Sequence, residues 1–71
     1  MSAKCKITID YVGLKTEVGG HLYNFNIDFA ARMWGFPIVV PESVNEDQRL
    51  TTAKVNFQAL LKSFVSVAME L

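Results

Sequence analysis

A chain of 71 residues is one domain, and folded chains of this size bury only about 60% of the surface they expose unfolded. Seven basic residues balance seven acidic ones, so the basic excess of a nucleic-acid-gripping surface is missing. The single cysteine, Cys5, excludes an internal disulfide, and no Cys/His cluster offers a zinc site.

Small domains without such staples need a partner subunit or unusually good packing. Here 51% of residues are hydrophobic and the mean hydropathy is +0.22. Self-association or docking on another protein is the simplest outlet for that apolar excess. Met1 to Ile7 carries lysines but lacks the apolar run of an export signal. The apolar face of the last segment is broken by Lys62 and is too short to span a bilayer. With a lone thiol, these features predict a cytoplasmic protein off the membrane.

In chain order, Lys4 to Tyr11 alternates, with Cys5, Ile7, Ile9 and Tyr11 on one side and Lys4, Lys6, Thr8 and Asp10 on the other. That is the period of a half-buried strand. Leu22 to Phe29 repeats it, with Tyr23, Phe25, Ile27 and Phe29 sharing the apolar side. Gly19-Gly20 between them is a tight-turn signal, since glycine accepts the positive φ angles of hairpin turns. A turn at that pair sets Val18 opposite His21, and continued without interruption it puts the first strand's apolar side chains on the wrong face. One extra residue at Val12-Gly13 repairs the parity, placing Tyr11 opposite Ile27 and Ile9 opposite Phe29; a β-bulge supplies it. The same register sets Asp10 against Asp28, a mildly destabilising pair that lacks the further oxygen ligands of a cation site.

Ala30 to Trp34 reads either as a helical turn ended by Gly35 or as more of the second strand. Phe36 to Pro41 reads as a short extended segment that its two prolines confine to a sheet edge. The helix then has two candidate starts, Ser43 with Glu46 and Asn45 with Gln48, both in capping-box spacing. Beyond them Leu50, Ala53, Phe57, Leu60, Phe64, Val67 and Leu71 recur at spacings of three and four, widened by Leu61, Val65 and Ala68. Arg49, Thr52, Asn56, Lys62, Ser63, Ser66 and Glu70 take the watery side. At about 1.5 Å per residue the helix is longer than the hairpin, so one end overhangs or meets a second copy.

The predicted architecture is α+β: a bulged antiparallel hairpin over about 4–29, a connector over 30–43 with room for a short third edge strand at Phe36–Val40, and a helix over about 44–71. This order of elements occurs in several unrelated small folds and implies no function by itself. No hydrolase, kinase, P-loop or Rossmann pattern is present, and no cofactor or metal site is readable. Cys5 reads as a small core residue and His21, the only histidine, as a solvated turn residue far from it, so catalysis is not expected.

The expected function is that of a small non-catalytic interaction protein, a homo-oligomer that binds and modulates, most simply inhibits, a larger protein. Inhibitors encoded by viruses and mobile elements share this size and plainness. Arg32, Met33, Trp34 and Phe36 are the candidate partner-binding residues, because Trp, Met and Arg are enriched at interfaces. Phe57, Leu61, Phe64, Val65 and Ala68 are the candidates for self-association, on a seam that also fits a heptad. Two alternatives differ in class: a nucleic-acid-binding dimer using Lys4, Lys6, Lys15, Asn24 and Asn26, and a structural subunit whose helix docks on a different chain.

Overall fold

A computed structural model describes residues 4–71; residues 1–3, part of the stretch read above for an export signal, lie outside it. Three antiparallel strands form one sheet in the order β1-β2-β3, with β1 at Cys5–Lys15, β2 at Gly20–Phe29 and β3 at Arg32–Pro41. One helix, α1 at Glu46–Ala68, packs against the sheet, chiefly on β3. The α+β architecture expected from the sequence is therefore what the chain adopts.

The bulge falls where parity demands it. Tyr11 pairs with Tyr23 and Gly13 with Leu22, leaving Val12 as the extra residue and Gly13 at φ 129°. The register nevertheless differs from the expected one by four places, since Tyr11 faces Tyr23 rather than Ile27. The cause is the connection. Thr16–Val18 winds into a 3₁₀ turn closed by Gly19 at φ 79°, whose N–H donates to the carbonyls of Lys15 and Thr16 at 3.1 and 3.2 Å. Only Gly19 acts as a turn glycine. Gly20 already belongs to β2, and a Cβ there would run into the carbonyl of Val40. An even slip keeps every side chain on its expected face. It also dissolves the predicted acidic pair, because Asp10 now faces Asn24 and Lys6 faces Asp28.

The connector over 30–43 is mostly strand. Ala30 and Ala31, at φ 55° and 60°, form a two-residue turn between Phe29 and Arg32, and β3 then runs ten residues along β2. This arrangement is neither a helical turn nor a longer β2. Positive φ at both central positions is the mirror-image turn that matches strand twist, ordinarily built from Asn-Gly. Two alanines carry none of that signature. The prolines fit because β3 is an edge and needs no N–H on its outward side.

Asn45 is the helix N-cap, with its carbonyl accepting from the Gln48 N–H at 2.9 Å, although its side chain makes no capping bond. Ala53 is fully buried, and its small side chain lets the helix close on the sheet. One turn on, the Phe57 ring stacks on Phe25 at 4.4 Å and meets Phe36 at 6.0 Å. Tyr23, Ile38 and Val40 complete the buried core, with Ile9, Ile27, Val44, Leu60 and Leu61 partly buried around it. Arg49 and Thr52, expected to be solvated, are half-buried beside this contact. Beyond Leu61 the helix carries no buried residue.

Candidate functional site

Pairing and alternation give the sheet an inner face toward the helix and an outer face. The inner face carries Cys5, Ile7, Ile9 and Tyr11 from β1, Tyr23, Phe25, Ile27 and Phe29 from β2, and Trp34, Phe36, Ile38 and Val40 from β3. A helix is roughly 10 Å across, too narrow to roof three strands spaced about 4.8 Å apart when it lies over an edge. As a result the inner face is covered only in part. Ile7 and Tyr11 stay half exposed, and Phe29 and Trp34 are exposed where the sheet ends at the Ala30-Ala31 turn. Cys5, Ile27, Phe29, Trp34 and Phe36 line an open groove of about 460 Å³ there, with no charged side chain among them.

The candidate partner-binding residues do not form one patch. Strand alternation puts Arg32, Trp34 and Phe36 on the inner face and Met33 on the outer, paired with Asp28 and 68% exposed. Trp34, 43% exposed, is a wall of the groove rather than a plug in the core. Among the self-association residues, Phe57 is committed to the chain's own core and is unavailable for another contact. Leu61 is half-buried, whereas Phe64, Val65 and Ala68 are exposed. The Phe64 ring reaches Phe36 at 5.8 Å, so the bare part of the helix adjoins the groove.

Cys5 is exposed at the groove and is not the core residue expected; its neighbour on the ladder is Phe29 at the uncovered end. His21 is buried, not solvated, because the strand begins at Gly20 and carries it under the β3 end opposite Val40. Its Nδ1 lies 2.8 Å from the Tyr11 hydroxyl, and the two rings stack at 5.9 Å. Cys5 and His21 thus stand at opposite ends of the β1–β2 ladder, too far apart to act as nucleophile and base.

No family model, curated protein or solved structure matches the chain. Its function must be argued from its own surface.

The outer face is polar at its centre. Asn24 Nδ2 donates to Asn26 Oδ1 at 3.1 Å, and Asn26 Nδ2 donates to Asp10 Oδ2 at 2.8 Å. The two asparagines named for nucleic-acid contact are therefore engaged with each other and with a carboxylate, which repels phosphate. Lys6 sits across from Asp28, and Lys15 pairs with Gly20 at the far end of the ladder. Among the described residues no group of three or more His, Cys, Asp or Glu is placed to hold a metal ion, and no helix is long and apolar enough to cross a membrane.

A signal for the groove did exist in the sequence. Trp34, Phe36, Ile38 and Val40 alternate at period two, the mark of a strand with an apolar face. Gly35, Pro37 and Pro41 interleave with them and disguise it.

Proposed function

We propose that this chain is a small non-catalytic interaction protein of the cytoplasm, which binds a larger protein and modulates it, most simply by blocking it, while acting as a homo-oligomer. The observation that carries the reading is the uncovered apolar inner face, ending in the charge-free groove of Cys5, Ile27, Phe29, Trp34 and Phe36. Contiguous apolar surface of this kind on a small chain marks a protein-binding site. A free, exposed thiol beside it suits a reducing compartment.

The test is capture from the native host with wild-type chain and with Trp34→Ala as baits. A half-exposed tryptophan can be truncated without opening the core, so the variant should keep its circular dichroism and lose one defined protein that the wild type retains. Identical captures by both baits would remove the reading.

A further inference from the structure

The folded chain exposes more surface than a solitary protein of its mass. Monomers of 8.0 kDa expose about 4,450 Å² by the usual scaling of area with mass. This chain exposes 5474 Å², and its 13.8 Å radius of gyration exceeds the roughly 11 Å of a compact domain of this length. The excess, about 1,000 Å², is close to the roughly 800 Å² that each partner buries in a standard protein–protein interface.

Two apolar features stand open on that surface, and they are complementary in shape. One is the concave groove at the Ala30-Ala31 end of the sheet. The other is convex: Phe64, Val67, Ala68 and Leu71 continue, at spacings of three and four, the stripe that Ala53 and Phe57 bury. Val67 is 62% exposed, and from Ser63 to Leu71 the only charged side chain is that of Glu70. The two features meet where Phe64 touches Phe36, so they form one continuous patch with a hollow half and a ridged half. A patch of that shape can be complementary to itself across a two-fold axis, which a closed dimer requires. With no net charge on the chain, two copies do not repel.

We propose that a second copy of this chain occupies the groove, as a two-fold dimer in which the Phe64–Leu71 stripe of each copy seats against Cys5, Ile27, Phe29, Trp34 and Phe36 of the other. The proposal rests on the reading of the inner face as a protein-binding surface and gives that face its occupant. It leaves the rest of the inner face, where Ile7 and Tyr11 stay half exposed, free for the larger protein.

Sedimentation equilibrium of the full chain across the micromolar range should show a dimer. Val67→Asp, at an exposed position, should weaken it about tenfold or more with circular dichroism unchanged. A wild-type monomer throughout, or an undiminished Val67→Asp dimer, overturns the proposal. Seating is read separately by mixing the wild-type chain with a Cys5→Ser/Ala68→Cys chain under mild oxidation. A disulfide between the two different chains is expected, and a dimer that forms without one overturns the arrangement. A monomer that still captures a protein in a Trp34-dependent manner would sink the self-pairing and leave the modulator function standing; a dimer with no such capture would do the reverse.

Discussion

The turn at the open end of the groove is built from residues ill suited to positive φ, and replacing them should stabilise the protein. Ala30 and Ala31 sit at φ 55° and 60°, where an L-residue with a Cβ crowds its own carbonyl at a cost of about 1–2 kcal/mol each. Glycine at Ala31 removes that crowding but returns roughly 0.5–1 kcal/mol through the greater freedom of the unfolded chain. Asparagine at Ala30 tolerates the left-handed region better than alanine and keeps a side chain. The double substitution Ala30→Asn/Ala31→Gly should therefore gain about 1–2 kcal/mol. In a domain this small, each kcal/mol is worth about 4–8 °C in Tm.

Urea unfolding at fixed protein concentration is the assay, because any dimer would otherwise make the midpoint depend on dilution. The midpoint should rise while the slope stays constant, showing that the surface exposed on unfolding is unchanged. An unchanged or lowered midpoint would mean that the alanines are not strained, and the argument from their φ angles would fail. Since the same turn sets Ile27 opposite Trp34, Trp34-dependent binding should survive the change.

Three further outcomes follow from the packing. Gly20→Ala should prevent folding because its Cβ meets the Val40 backbone, which cannot move without breaking the ladder, whereas Gly13→Ala meets nothing within 4 Å and should cost about 1–3 kcal/mol of backbone strain at its φ of 129°; circular dichroism separates them. Phe57→Ala should cost about 3–5 kcal/mol, comparable to the whole stability expected of such a chain, and unfold it, while Phe64→Ala at a half-exposed ring should cost about 1 kcal/mol in urea titration. Tyr11→Phe removes the hydroxyl that meets His21 and should lower stability by about 0.5–1.5 kcal/mol; an unchanged urea midpoint would show that the bond contributes nothing.

The faces of the hairpin were legible because alternation is a property of the chain itself. Parity demanded a bulge, and the glycine at Gly13 marked its place. The register was harder, since it depends on which glycine turns the chain, and Gly19 and Gly20 are chemically identical. Their roles divide only through Val40, a residue of β3 that approaches Gly20 in the folded state. The third strand was half legible, as prolines marked an edge but a turn made of Ala-Ala gave no sign. His21 and Cys5 exchanged environments for a related reason. The helix roofs the β3 end where His21 sits and leaves the Cys5 end bare, which follows from where the helix lies across the sheet and not from either residue.

That partial roof also decides how the chain can associate. A three-stranded sheet has two edges, and both are blunted against further strand pairing. On β1, Lys6 and Lys15 and the bulge beside Gly13 discourage a neighbouring strand; on β3, Pro37 and Pro41 interrupt the row of donors. Open-ended stacking of sheets is therefore disfavoured at both sides. The inner face carries Arg32 at its open end but no charge among the residues that line its groove. Closed edges and an open face disfavour runaway assembly and fit the proposed use of the inner face as the contact surface. If the edges were the sites of association, adding Lys at Thr8 of the β1 edge would weaken it as much as altering Trp34. Of these two positions, only Trp34 should matter.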